Sequence, residues 1–317
     1  MPHTFDLLVI GDANPDVVLG PLHEPLAFGQ REQLVSTGML TLGGSAAITA
    51  CGAARLGLSV AFAGRIGDDD AGRFVRARLD ALGVDTEALR VDPALPTPLT
   101  AVITRDDDRA ILTASGTLGA TRPDDIPEDL LARSRHVHAA SYFLMPELAA
   151  GLPGLLETAR AHGATTSLDT NDDPDGQWDP AGLATVLPLV DFLLPNAQEA
   201  LALAGPSAVS LESAAARLAS YGPRVIVKNG GKGALAYDGR TPLRTRGTPV
   251  RPLDTVGAGD SFNAGYLAAV LAGLPPEQAL ELAAACGALS TRAHGGTTAQ
   301  PTWDEALAAA TRNRENQ

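Results

Sequence analysis

Six short apolar runs, separated by helix-patterned stretches, are the feature that most limits how this chain can fold. They are FDLLVIG (5–11), SVAFAG (59–64), HVHAAS (136–141), TTSLD (165–169), DFLLP (191–195) and RVIVKNG (224–230). FDLLVIG is apolar continuously rather than alternately, as expected of a strand covered on both faces. Between the runs, SAAITACGAARLG (45–57) and AGRFVRARLDALG (71–83) carry helical patterns that end in glycine. Repeated strand–helix alternation predicts an α/β fold, a largely parallel central sheet with helices on both faces. GALAYDG (233–239) and TPLRTR (241–246) read as an antiparallel addition, and the last 60 residues as mostly helix. Two segments, about 14–40 and 98–116, break the rhythm. Within the second, LTAVITRDDDRAILTAS (99–115) sets two β-rich runs around a charged turn, a hairpin by pattern. Together they predict a small β-sheet lid on a single domain spanning residues 1–317, with no internal repeat or linker dividing it.

The acidic balance restricts the partners. A net charge of -13 and a pI near 4.8 argue against nucleic acid and anionic membrane surfaces. No apolar run is long enough to span a bilayer, and MPHTFDLLVIGDANPD lacks the basic region of a signal peptide. Cys51 and Cys286 each fall in an apolar helical pattern and read as buried free thiols, which predicts a cytoplasmic protein. In such an acidic chain any anion site must be locally positive. The only two lysines, Lys228 and Lys232, share the glycine-rich KNGGKG (228–233), placed to supply that charge.

Four further motifs carry candidate chemistry. DTVGAGDSFNAGYLAA (254–269) places Gly257, Ala258 and Gly259 ahead of Asp260 and an alanine-rich helical pattern. A helix start leaves unpaired N–H groups at the positive end of the dipole, and glycines let a large anion approach them. Asp260 is then either a helix cap or a carboxylate that takes a proton from an attacking hydroxyl beside an anion hole. GDANPD (11–16) follows the first apolar run, where open α/β sheets bind ligands. Asn14 and Asp16 alternate there, suiting either vicinal sugar hydroxyls or an Asx turn. LGGSAAITA (42–50) sets Gly43 and Gly44 before a helix, for a tight turn capped by Ser45 or for close approach to a ligand. PNAQEA (195–200) puts Asn196 and Glu199 on one face of a helix start. They form a capping box or hold the waters around Mg²⁺. HVH (136–138) lacks a nearby third metal ligand, and no P-loop or dinucleotide fingerprint is present.

In order over nearly the whole chain, these pieces resemble the ribokinase-like (PfkB) carbohydrate kinase family. GGSAAITACGAARLG is similar to its N-terminal signature, and GRIGDDDAGRFVRARLDALGVDT (64–86) to the segment that follows. PNAQE resembles its N-x-x-E element, KNGGKGA its nucleotide-loop strand, and DTVGAGDSFNAGYLAA its C-terminal signature. The resemblance implies transfer of the ATP γ-phosphoryl group to a hydroxymethyl hydroxyl, with Mg²⁺. It implies Asp260 as base, with the amides of Gly257, Ala258 and Gly259 holding the phosphoryl group. It places Asn196 and Glu199 around Mg²⁺, and Asn196, Lys228, Gly230, Gly231 and Gly233 beside the nucleotide. Asn14, Asp16, Gly43, Gly44, Asp169 and Asn171 fall at the substrate. A monovalent cation such as K⁺ would sit at Asp254, Val256, Ser290 and Ala293. A homodimer through the lid follows if the lid sheet offers an exposed face.

Two departures bear on the substrate. Ile48 stands at a substrate position where the family has Asn. In LDTNDDPDGQW (168–178), Asp173 stands where the D-x-N-x-R segment of sugar-acid and fructose kinases has Arg. Without that Arg, and with Asp172 beside it, a neutral sugar or polyol is expected. A nucleoside is the alternative, with Ile48 contributing to a shelf for the base. A non-catalytic protein that binds a sugar or nucleotide is the other.

Overall fold

The computed structural model describes residues 3–105 and 108–315. Its strands are β1 (Phe5–Ile10), β2 (Asn14–Gly20), β3 (Thr37–Gly43), β4 (Val60–Gly67), β5 (Val84–Asp85), β6 (Leu89–Asp92) and β7 (Leu99–Arg105). They continue as β8 (Asp108–Ala114), β9 (Ser134–Ala140), β10 (Thr165–Asp169), β11 (Phe192–Leu193), β12 (Arg224–Lys228), β13 (Ala234–Tyr237) and β14 (Pro242–Thr245). The helices are α1 (Ser45–Arg55), α2 (Asp70–Ala81), α3 (Glu128–Ala132), α4 (Pro146–Ala161) and α5 (Pro180–Val186). After them come α6 (Ala197–Ala204), α7 (Leu211–Ala219), α8 (Ala258–Leu271), α9 (Pro276–Ser290) and α10 (Trp303–Glu315).

The large sheet runs β14-β13-β12-β11-β10-β9-β1-β4-β5, with β6 also on β4. Pairing is parallel from β12 across to β5, and β13 and β14 add on antiparallel. The continuous apolar run of β1 is explained by two cores. Leu7 and Val9 enter one, Leu8 and Ile10 the other, and all four are fully buried. The strand expected at 191–195 shrinks to Phe192–Leu193, because the next residues turn into α6. The helix expected over 45–57 ends at Arg55, and Gly57 at φ +96° takes the left-handed turn that follows.

The lid is a separate four-stranded sheet in the order β3-β2-β7-β8. β2 pairs with β7 in parallel, and the outer pairs are antiparallel. Its second strand reaches Gly43, three residues past the expected boundary, and residues 21–36 contain no strand. Register puts Asp16, Val18, Thr41, Thr100 and Val102 on one face, where all are buried. Leu19, Leu40 and Leu112 lie exposed on the other.

Small residues set the approach of the helices that matter most for the site. A Cβ on Gly52 of α1 would stand 2.9 Å from the Ala264 side chain of α8. One on Gly265 of α8 would stand 2.7 Å from Cys286 Sγ of α9. Glycine at both positions lets α1, α8 and α9 pack closely. The N-termini of α1 and α8 thereby meet beyond the C-terminal ends of β1 and β10, where open α/β sheets form their sites. Cys51 and Cys286 are buried free thiols, as expected. Among the described residues no helix is long and apolar enough to cross a membrane.

Candidate active site

Asp260 lies in the first turn of α8, whose N-terminal cap is Gly257 at φ +72°. Its carboxylate does not cap the helix. Oδ1 instead accepts from Ser45 Oγ at 2.5 Å, across from the start of α1. Ser45, in turn, makes no cap for α1, so the capping alternative fails at both helices. Asn171 Nδ2 donates to the same Ser45 oxygen at 2.9 Å, and Asn171 Oδ1 accepts from the Ser141 amide at 2.8 Å. Burial pushes the Asp260 carboxyl up to about 7, against the pull of Ser45 and Lys228.

The amides around this carboxylate are the second element. Those of Gly257 and Gly259 have no hydrogen-bond partner among the described residues, whereas Ala258 N–H donates to the Thr255 carbonyl at 3.3 Å. Of the three amides expected to hold an anion, two are therefore free. A Cβ on Gly257 would stand 2.6 Å from the Gly296 backbone, so only glycine fits this corner. Ile48 packs behind it, 3% exposed and against Gly257 and Gly296. Ile48, expected at the substrate, packs its side chain at this corner.

Asp169 is fully buried at the end of β10. Its Oδ2 accepts from Lys228 Nζ at 2.5 Å and Asn263 Nδ2 at 2.6 Å, and its Oδ1 from the Asn171 amide at 3.2 Å. Lys228 was expected to bring free positive charge to the nucleotide loop. Its ammonium is instead committed to Asp169 and Asn263. Burial pulls its pKa down, but Asp169, Glu199 and Asp260 outweigh this and hold it above the ordinary lysine value. Gly230 and Gly231 lie open on a short turn after β12, with Lys232 exposed beside them. Gly233 at φ +98° has no room for a Cβ beside the Thr245 carbonyl.

Asn196 and Glu199 form the full capping box of α6. Asn196 Oδ1 accepts from the Gln198 and Glu199 amides, and Glu199 Oε2 from the Asn196 amide at 2.7 Å. Asn196 Nδ2 also donates to Glu199 Oε1 at 2.5 Å. Burial pushes Glu199 up to about 7, and the charge of Asp169 adds to it.

On the lid side, Asn14 Nδ2 donates to Asp16 Oδ1 at 2.7 Å and to Thr100 Oγ1 at 3.1 Å. Burial pushes Asp16 up to about 7, with Asn14 drawing it back. The Gly43 backbone lies so close that a Cβ there would overlap the Asp16 carboxylate. Gly44, at φ +89°, lies against the Asp12 carbonyl. Asp254 ties two loops together, its Oδ1 accepting from the Val256 amide and its Oδ2 from the Gly295 amide, both at 2.9 Å. The same loop bonds through the Leu253 and Asp254 amides to the Thr291 carbonyl, next to Ser290 at the end of α9.

Sequence reasoning missed Asp12, whose carboxylate accepts from the Ser45 and Ala46 amides and so caps α1 from 33 residues away. It also missed Ser45 as the partner of Asp260, and Asn263 as the partner of Asp169. His136 and His138, dismissed as a metal pair, bond to Ser167 inside the core, each at 2.7 Å. Burial holds both neutral, at about 3 and about 4.

With this geometry in hand, the chain can be set beside known proteins. The sequence pattern described as pfkB family carbohydrate kinase matches residues 4–303. The chain belongs to the pfkB family of carbohydrate kinases. An ATP-dependent ribose-1-phosphate kinase of Halopiger xanaduensis is 33% identical over 305 residues, which cover 95% of this chain and 97% of that protein. A fructokinase of Klebsiella pneumoniae is 34% identical over 283 residues, covering 83% and 90%. Among solved structures, a ribokinase of Arabidopsis thaliana complexed with ribose and ATP superposes with a TM-score of 0.82 at 25% identity, covering 98% of this chain and 99% of that one. An E. coli protein described as a Ribokinase II, in complex with ATP and Mg²⁺, superposes at 0.86 with 25% identity, covering 98% and 100%. This pfkB kinase thus shares its central sheet and lid with the ribokinases over essentially its full length.

Proposed function

We propose that this pfkB kinase transfers the γ-phosphoryl group of ATP to a hydroxyl of a sugar or polyol, with Asp260 taking the hydroxyl proton. The carrying observation is one corner of the structure. A carboxylate with its pKa pushed up to about 7 stands beside the unpartnered amides of Gly257 and Gly259 at the positive end of α8. The amides hold the negative oxygens of the phosphoryl group in flight, and the carboxylate is basic enough to accept a proton near neutral pH. Asn14, Asp16 and Asn171 surround the same corner and suit the neighbouring hydroxyls. ATP offered with a panel of sugars, polyols and nucleosides tests the reading. It predicts a phosphorylated sugar or polyol, and it fails if none is phosphorylated or if a nucleoside is strongly preferred.

Gly43→Ala probes the sugar side alone. Its methyl group displaces the Asp16 carboxylate, which removes a charge-assisted contact. The sugar KM is expected to rise about 10- to 100-fold with the ATP KM unchanged. A rise shared equally by both substrates places Gly43 elsewhere in the mechanism.

The residues present fit Mg²⁺ held through water. Both Glu199 oxygens already accept from Asn196, yet each keeps a further acceptor direction. Among the described residues no cluster of three or more ligating side chains exists to strip the ion of its water. When bound with the nucleotide, Mg²⁺ supplies charge neutralisation at the phosphates. A monovalent cation at Asp254, Val256, Ser290 and Ala293 belongs to the same proposal, and the negative end of α9 beside the Asp254 loop supports it. Glu199→Gln keeps the capping box but removes the charge. It is expected to raise the Mg²⁺ requirement about 10-fold or more while sparing sugar affinity. Overlapping Mg²⁺ titrations of the two proteins leave Glu199 as a cap only. The same titrations in K⁺ and in Na⁺ read the monovalent site, and equal rates in both remove it.

A further inference from the structure

We propose that the Ser141 amide, Asn171 and Ser45 form a one-way hydrogen-bond relay that holds Asp260 by one carboxylate oxygen and leaves the other to take the proton. Ser45 and Asn171 are then positioning residues for the transfer. This rests on the reading of Asp260 as the base and names what holds it in that role. The polarity of the relay follows from its first member. A backbone N–H can only donate, so the Asn171 atom 2.8 Å from the Ser141 amide is its oxygen, Oδ1. The nitrogen of the same amide group must then face Ser45, and it donates to Ser45 Oγ at 2.9 Å. An ionised carboxylate only accepts, so the single proton of Ser45 Oγ goes to Asp260 Oδ1 at 2.5 Å. The Asn171 donor keeps the hydroxyl turned that way.

Asp260 Oδ2, by contrast, has no hydrogen-bond partner among the described residues. When the acceptor oxygen bonds the γ-phosphorus and the bond to ADP breaks, the hydroxyl proton passes to Oδ2. Ser45 has no competing task, because it does not cap α1 and the first amides of that helix go to Asp12. The relay joins four distant segments, the residues just past β9 and β10 and the first turns of α1 and α8. Ser141 and Asn171 both hold left-handed backbone, at φ +61° and +56°. Residues other than glycine rarely adopt it, and those kept there despite the cost gather at active sites. Burial opposes ionisation of the Asp260 carboxyl, as do Asp169 at the end of β10 and Asp12 after β1, while Ser45 and Lys228 of β12 favour it.

The test compares wild type, Ser45→Ala, Asn171→Gly and the double variant. Alanine leaves the start of α1 intact, and glycine suits the backbone of Asn171, so each should fold. Carbon-13 NMR of the aspartate carboxyls reads Asp260 without turnover, its signal identified by its loss in Asp260→Asn. The titration of that signal is expected to move to higher pH in Ser45→Ala and, by less, in Asn171→Gly. The donor that favours the ionised form is lost in the first and freed to turn in the second. Kinetics with ATP and the preferred sugar should follow. Ser45→Ala is expected to lower kcat about 10-fold on the high-pH plateau, with the ATP KM held within about 2-fold. Its acid limb should also lie at higher pH. Asn171→Gly should lose less, and kcat of the double variant should match Ser45→Ala within about 2-fold, since Asn171 acts on Asp260 only through Ser45. The NMR titrations decide for the relay even if no sugar is phosphorylated, so its failure stays distinct from that of the kinase reading. An Asp260 titration unmoved in Ser45→Ala overturns the relay. So do kcat losses that multiply in the double variant, or a fall in ATP affinity as large as the fall in kcat, which makes Ser45 a tie between α1 and α8.

Discussion

Asp260→Asn is expected to cut turnover by about 10²- to 10⁴-fold with nucleotide affinity largely kept. The amide preserves the shape of the side chain and can still accept from Ser45, so α1 and α8 should stay docked. What it loses is the capacity to take a proton. The pH profile of the wild type checks the same assignment. Burial pushes the carboxyl up to about 7, so Asp260 is protonated and inactive as a base below that pH and becomes competent above it. Turnover should therefore fall as the pH drops through about 7. Asp16 and Glu199 are pushed into the same range by burial, which makes the decline steeper than one proton alone gives. In Asp260→Asn the small residual activity should lose one proton of that steepness. Near wild-type turnover in this variant removes Asp260 from the chemistry.

Lys228→Met should show its largest effect on stability. Asp169 is fully buried and keeps only amide donors once the ammonium is gone. Breaking a buried ion pair by removing one partner costs about 3–5 kcal/mol, because the remaining charge is left uncompensated. The denaturant midpoint should drop accordingly with an unchanged slope. Adding Asp169→Asn should recover much of the loss, since a neutral amide needs no counter-ion. Lys228 also draws the Asp260 pKa down. Its removal should move the acid limb of the activity profile to higher pH. A variant as stable as the wild type shows that Asp169 does not depend on this partner.

The parts of the protein that were legible in the sequence are those encoded within one element. TTSLD is a strand over the residues expected, Thr165–Asp169, because its run is short, bounded and buried. The glycines before Asp260 announced a helix start open to an anion, and α8 begins at Ala258. The lid followed from two segments that interrupted the alternation. What could not be read were pairings between distant segments. Ser45 and Asp260 are 215 positions apart, and Lys228 and Asp169 are 59 apart. No local window contains both members of either pair. Reading Lys228 from its glycine-rich loop alone gave it a free charge, whereas β10, two strands across the sheet, supplies the carboxylate that uses that charge. The surroundings of Ile48 were hidden for the same reason. Its position in α1 was known, but the backbone of Gly257 and Gly296 that covers it comes from the far end of the chain.

The central claim is that the corner formed by Ser45, Asp260 and the Gly257 and Gly259 amides moves a phosphoryl group from ATP to a sugar hydroxyl. Phosphorus NMR of ATP, Mg²⁺ and the preferred sugar measures this directly, with wild type and Asp260→Asn side by side. The expected result is loss of the γ-phosphate signal of ATP in step with growth of a new sugar phosphomonoester signal, in the wild type and scarcely at all in the variant. Conversion of ATP to ADP and inorganic phosphate alone, or equal formation of the sugar phosphate by both proteins, would contradict it.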